Sequence, residues 1–234
     1  MKNGLVMDER IENKGETIGL IGGTGHLGRG LALRWAKKHK VIIGSRDEEK
    51  AKRVAQEVTE KAIKEGLSIS TIEGKSNDKT IEFSDVVVFC VDFEPALELL
   101  KTLKEKFSGG KIVISPVVNL KKRDNYFLPD LKGGKPSAVV IKENLPQEVH
   151  VVSALHTLPA GKLYSADPLP GYSVIVYGEG KAKEVVISLL REIEGIGVFD
   201  GGTLEASFFS EYVTALLLNL ARINKLKDLS LKIY

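Results

Sequence analysis

Gly23, Gly25 and Gly28 follow a short apolar run, Thr17-Ile-Gly-Leu-Ile21, and open a helical pattern that continues from Leu27 to Lys38. Glycines at that spacing between a strand and a helix suit a pyrophosphate. Gly23 permits the tight turn, and Gly25 lets the backbone approach a phosphate. Gly28 lets the helix pack against the strand, so that its first N–H groups face the anion. Gly22, Thr24, His26 and Leu27 fill out the turn and join the candidate cofactor-binding set. His26, at the helix N-terminus, is placed to touch the pyrophosphate or a ribose rather than to catalyse. The competing reading is a glycine-rich turn with a structural role. A second strand, Lys40–Gly44, arrives in the order a nucleotide-binding unit requires and favours the nucleotide.

The second strand also bears on which nucleotide. NAD sites usually carry an acidic residue about 20 residues past the glycines, to hold the ribose hydroxyls. Here that strand ends in Gly44-Ser45-Arg46, with Lys50 four residues beyond Arg46. A 2′-phosphate is a compact dianion that a guanidinium fork and an ammonium both satisfy. Helical spacing puts Arg46 and Lys50 on one face, so Ser45, Arg46 and Lys50 read as an NADP determinant. The alternatives are a capping box of Ser45 and Glu48 for a helix over Asp47–Glu65, cations that are merely solvated, and Asp47 as a ribose ligand.

The bulk numbers narrow the class. The 234 residues are 43% apolar with a net charge of +3, as in a globular chain with a sizeable core and no nucleic-acid surface. Lys121-Lys122-Arg123 reads as a solvated loop, and His39 and His150 as surface residues. Cys90, the single cysteine, sits in the apolar run Val86–Val91 with neither disulfide partner nor metal spacing. No metal site is expected, and a reducing cytoplasm fits. No apolar stretch reaches the roughly 18 residues of a membrane span. Residues 1–16 read as a flexible leader.

From Thr17 onward strand and helix alternate. Strands are expected at Ser68–Glu73, Asp85–Val91, Lys111–Ser115 and Glu148–Ala154, with a helix opening at Glu94-Pro95. This pattern predicts an α/β fold: a Rossmann-type doubly wound parallel sheet over 17–148, then a small C-terminal α/β domain over 149–234. Ligands then sit at the carboxyl ends of strands, which adds Val91 and Phe93 to the cofactor set and makes Pro116 and Val117 candidates for a ligand contact. Asn119–Pro136 reads as a loop. The last helix, about Thr203–Asn224, is apolar on several faces, as expected of a buried helix or a two-fold partner contact. A homodimer is the expected assembly.

The motifs as a set resemble the coenzyme F420-dependent NADP oxidoreductases. They are Gly22-Gly-Thr-Gly-His-Leu-Gly28, Gly44-Ser-Arg46 with Lys50, Val151-Val-Ser-Ala-Leu-His-Thr-Leu-Pro-Ala160, Asp200-Gly-Gly-Thr-Leu204, and Thr214 with Leu218-Asn219. The resemblance runs from about Thr17 to the C-terminus. It implies NADP on the N-terminal domain and a deazaflavin co-substrate, coenzyme F420, stacked on the nicotinamide at the domain boundary. It also implies reversible hydride transfer between the two rings. His156, Leu158 and Thr214 would flank the deazaflavin with Pro116 and Val117, and His156 would polarise the ring. Two positions depart from the family pattern: Asp92-Phe93 replaces Pro plus an aromatic residue, and Tyr212 replaces a small hydroxyl residue. They keep two other readings open. One is an NADPH-dependent reductase of a flavin, metal chelate, imine or ketone. The other is a non-catalytic NADP sensor whose second site is closed by Phe93, Phe208, Phe209 and Tyr212.

Overall fold

The computed structural model describes residues 15–234; the expected leader lies almost entirely outside them. The chain begins with β1 (Thr17–Ile21), α1 (His26–Trp35), β2 (Lys40–Ser45), α2 (Glu48–Lys64), β3 (Ile72–Ser76), α3 (Asn77–Glu82) and β4 (Val86–Phe89). It continues through α4 (Phe93–Leu103), β5 (Ile112–Ser115), β6 (Leu120–Arg123), β7 (Tyr126–Pro129), α5 (Ser137–Glu143) and β8 (His150–Ser153). The remainder is α6 (Ala160–Leu163), β9 (Ser173–Val176), α7 (Gly180–Arg191), β10 (Gly197–Asp200) and α8 (Phe208–Ile223).

Six of the strands form one sheet in the order β3-β2-β1-β4-β5-β8, and every pairing in it is parallel. That is the order of a Rossmann-type doubly wound sheet. Alternate residues point to opposite faces, so Val86 and Val88 join one apolar cluster while Val87 and Phe89 join the other. Helices α1, α2 and α7 cover the first face, and α4 and α5 the second. The second strand from the edge, β5, pairs with the outer strand β8, so the segment 149–234 supplies the last strand of the large sheet. A smaller βαβ unit follows, with β9 and β10 parallel and joined to β8 through the Ser153–Tyr177 bridge.

Local chemistry explains the elements near the glycines. Gly22 adopts φ +64°, a left-handed conformation that glycine takes without a Cβ penalty. A Cβ on Gly28 would run into the backbone of Gly23, so the contact between turn and helix requires hydrogen there. Helix α2 buries Ala51, Val54, Ala55, Val58 and Ala62, a stripe at helical spacing. Its cap differs from the expected Ser45–Glu48 box. Asp47 is the N-cap and accepts from Lys50 N at 3.0 Å, while Ser45 Oγ accepts from Asp47 N at 3.2 Å.

Other expectations are corrected by packing. The span Asn119–Pro136 is not all loop: β6 and β7 pair antiparallel around a two-residue turn, Asp124-Asn125, with Asp124 at φ +51°. Lys121-Lys122-Arg123 is therefore strand, though exposed. The third strand lies later than predicted, at Ile72–Ser76, where it pairs with β2. His39 is buried rather than superficial: Nδ1 accepts from Glu16 N at 3.0 Å, and Nε2 lies 2.8 Å from Glu192 Oε2. The last helix is preceded by a 3-10 turn over Leu204–Ser207, and among the described residues it is largely uncovered. Phe209, Tyr212, Leu216, Leu220 and Ile223 are all exposed, because only a flank holding Ser210, Glu211 and Ala215 packs inward.

Candidate cofactor and substrate site

The glycine turn is held by backbone bonds, since Gly23 N donates to both Leu20 O and Gly44 O at 3.0 Å. Gly22 N donates to Asn77 Oδ1 at 3.3 Å, which fixes the turn to the end of β3. Around it opens a cleft of about 790 Å³ that Gly22, Thr24, Ser45, Arg46, Lys50 and Val91 all line. Gly23 and Gly28 are buried in the turn behind it, Leu27 is half-buried, and Gly25 and His26 face solvent at the helix start. A Cβ on Gly25 would meet nothing within 4 Å, so the backbone there is open to an incoming anion. Phe93 does not line this cleft; it is buried in the core cluster with Val87 and Phe89.

The two basic residues are electrostatically available. Glu48 is engaged by Lys52 and Lys79, and Glu49 by Lys52. This leaves Arg46 and Lys50 without an ion-pair partner among the described residues. Asp47 spends its carboxylate on the α2 cap, which argues against it as a ribose ligand. Asn77, Asp78 and Asp92 also line the cleft. Sequence reasoning missed Asn77; its signal was its place at the carboxyl end of the third strand.

A second cavity, of about 290 Å³, is lined by His156, Leu158 and Thr214, together with Leu217, Leu218 and Asp228 among others. It brings together three of the five residues named for the second substrate. Pro116 and Val117 do not line it. They follow β5, where Val117 is buried against the α5 face. Leu155 precedes His156 at φ +74°, a left-handed conformation that is uncommon outside glycine and turns the chain sharply off β8. Thr214 Oγ1 donates to Ser210 O at 2.8 Å and to His156 O at 3.3 Å, tying α8 to that turn. On the ring, Nε2 lies 3.3 Å from Ser153 Oγ, while Nδ1 is buried without a hydrogen-bond partner. Burial holds the imidazole pKa down to about 4, so the ring is neutral at physiological pH. A neutral ring in a cavity wall can border a ligand without placing a charge beside it.

Both cavities lie at the carboxyl ends of the parallel strands. The larger spans the ends of β1 to β4, the smaller follows β8, and β5 ends between them. None of Phe93, Phe208, Phe209 and Tyr212 lines the second cavity, so the bulky closure expected of a sensor is not what forms its wall. Cys90 is half-buried, and desolvation pushes its thiol up to about 12. Among the described residues no group of three or more His, Cys, Asp or Glu is arranged to hold a metal. No helix there is long and apolar enough to cross a membrane.

The strand order, the glycine turn and a cleft with two unpaired cations define a Rossmann-type dinucleotide-binding protein. Residues 17–119 match the family model described as NADP oxidoreductase, coenzyme F420-dependent. The F420-dependent NADP reductase of Methanocaldococcus jannaschii is 36% identical over 223 residues, covering 92% of this chain and 97% of the relative. The protein of the same name from Methanothermobacter thermautotrophicus is 30% identical, with 92% and 94% covered. A solved structure from Arthrobacter sp. FB24, named for F420-dependent NADP reductase, superposes with a TM-score of 0.78 at 20% identity. It covers 94% of this chain and 100% of that one, and supports the fold. The chain belongs to the coenzyme F420-dependent NADP oxidoreductase family.

Proposed function

We propose that the chain transfers a hydride reversibly between NADPH and oxidised coenzyme F420, one proton being taken up as the deazaflavin is reduced. The observation that carries this reading is the placement of two cavities along one sheet edge, one with cations for a 2′-phosphate and one walled by His156, Leu158 and Thr214. The cofactors supply the hydride chemistry when bound; the protein supplies binding and orientation. Arg46 and Lys50 would hold the 2′-phosphate with Ser45 beside them. The turn from Gly22 to Gly28, with Thr24, His26 and Leu27, would seat the pyrophosphate at the start of α1. Val91 and Phe93 would bound the cleft after β4, Phe93 by supporting it from the core.

Pro116 and Val117, at the end of β5, would flank the deazaflavin where the two cavities meet, leaving the two rings in contact. His156 would border the deazaflavin as a neutral group, leaving that ring's charge to be set by its own protonation. Correct stacking alone contributes on the order of 7–11 kcal/mol to such reactions in favourable cases. The two-unit division at 17–148 and 149–234 suits this arrangement, the second unit supplying β8 and α8 to one side of the cavity. The uncovered apolar face of α8 supports a homodimer formed through it. An unpaired, unreactive thiol and small-molecule cofactors of the cell interior suit a cytoplasmic protein.

The direct test mixes purified protein, NADPH and oxidised F420 and follows the visible absorbance of the deazaflavin. Rapid bleaching with NADPH, and much slower bleaching with NADH, is the expected result. Absence of bleaching while NADPH binds would redirect the assignment to another acceptor.

A further inference from the structure

Among the buried side chains, Glu211 stands out. It is 1% exposed in the first turn of α8. Its Oε1 accepts from Ser137 N at 2.5 Å, and its Oε2 is buried with no partner. A carboxyl taken out of water with one oxygen unsatisfied costs the fold stability, so its place there calls for an account. What it joins is informative. Ser137 begins α5, and its Oγ accepts from Asn119 N at 3.0 Å; that same Asn119 N–H faces the Glu211 carboxyl. Asn119 is held again from the hairpin side, its Nδ2 donating to Asp130 O at 2.7 Å and its carbonyl accepting from Asp130 N at 2.8 Å. It closes the strap Ser115-Pro-Val-Val-Asn119 that leaves β5. Three residues beyond Glu211 on the same helix is Thr214, bonded to His156 O.

We propose that Glu211 is a positioning residue for the deazaflavin cavity. Its carboxyl fixes the distance between α8, which brings Thr214 to His156, and the strap that carries Pro116 and Val117. The inference rests on the proposed deazaflavin reading of this cavity, but it assigns a role to a residue outside both cavities. Glu211 lines neither of them, so it acts through the elements it joins and not by touching a ligand.

The test measures the F420 dissociation constant by fluorescence and, in the bleaching assay, KM for each substrate and kcat. It compares wild type with E211Q, E211D and E211A. Gln keeps an oxygen that can accept from Ser137, so E211Q is expected to bind F420 within about threefold of wild type. E211A releases the strap and is expected to raise the F420 dissociation constant and KM by about tenfold or more, leaving the KM for NADPH within about twofold. E211D keeps the charge but falls short of Ser137. It is expected to resemble E211A, and it decides the matter if E211A does not fold. Wild-type F420 binding by E211A or E211D, or an E211Q as impaired as E211A, would overturn the positioning role alone. A wild-type protein that neither binds nor turns over F420 would overturn the deazaflavin reading and this role with it.

Discussion

Thr214 and His156 are joined across 58 positions of sequence by a 3.3 Å bond from the threonine hydroxyl to the histidine carbonyl. The bond is to the backbone, so α8 holds the turn that carries the imidazole, while the ring's own polar contact is with Ser153 Oγ. The left-handed backbone at Leu155 then aims the ring. Position is set by neighbours, and the chemistry of Nδ1 is set by its lack of them.

Arg46 and Lys50 have no ion-pair partner among the described residues, so each has its full charge available for a ligand. Arg46→Ala is expected to weaken NADP binding by about 1.5–3 kcal/mol, tenfold or more, the range for hydrogen bonds to charged groups. NAD binding should change little. Titration of both nucleotides checks this, and equal weakening would remove Arg46 from the 2′-phosphate site.

Acid stability should report His156. Its folded value of about 4 lies below the ordinary 6.5, so between those limits the unfolded chain binds the extra proton. Stability is therefore full above pH 6.5 and declines as pH falls toward 4. Glu211 acts with the opposite sign. Burial raises it from 4.5 to about 7, so the native state holds the extra proton and stability declines as pH rises from 4.5 to 7. The two ranges overlap and their signs oppose, so the wild type is expected to be nearly flat between about pH 4.5 and 6.5. Across that range urea midpoints are expected to fall with rising pH in His156→Gln and to fall with falling pH in Glu211→Gln. Unchanged profiles in both variants would contradict these environments.

A methyl group at Gly28 would press on the backbone of Gly23, which has no flexible end to yield. Gly28→Ala is expected to cost roughly 1–3 kcal/mol, as overpacking does, and to loosen NADP because the displaced turn carries the phosphate-facing amides. Thermal melts with and without NADP check both parts.

The exposed side chains of α8 should govern assembly. Leu216→Glu combined with Leu220→Glu places two charges on that face and is expected to shift light-scattering mass from dimer to monomer with the fold retained. A wild-type protein that is monomeric at micromolar concentration would refute the homodimer.

Much of this was legible in the chain because the signals are local. The glycine turn, Arg46 with Lys50, and the run from Ser153 to Ala160 each state their chemistry within a few residues. What escaped depended on distant partners or weak patterns. His39 is buried by Glu192, 153 positions away. Asp47 and Ser45 offer equivalent caps on paper, and only backbone geometry selects Asp47. The strands β6 and β7 span four residues each and include Lys-Lys-Arg, too short and polar for a period to emerge, although Asp124-Asn125 was a usable turn signal. Glu211 carries no local signal, and only the fold places Ser137 against it. The apolar character of α8 was plain, but whether its cover comes from this chain or another is not written in a helix period.

The end of β5 separates the two cavities, and this gives the sheet the role of a ruler. Neighbouring strands stand about 4.8 Å apart, so β4 and β8 are held about 10 Å from one another with one strand between. Ligands reaching in from the two sides would meet over that single strand end, and backbone ladder bonds keep the span constant. The span is thus a property of the backbone and not of the side chains around it.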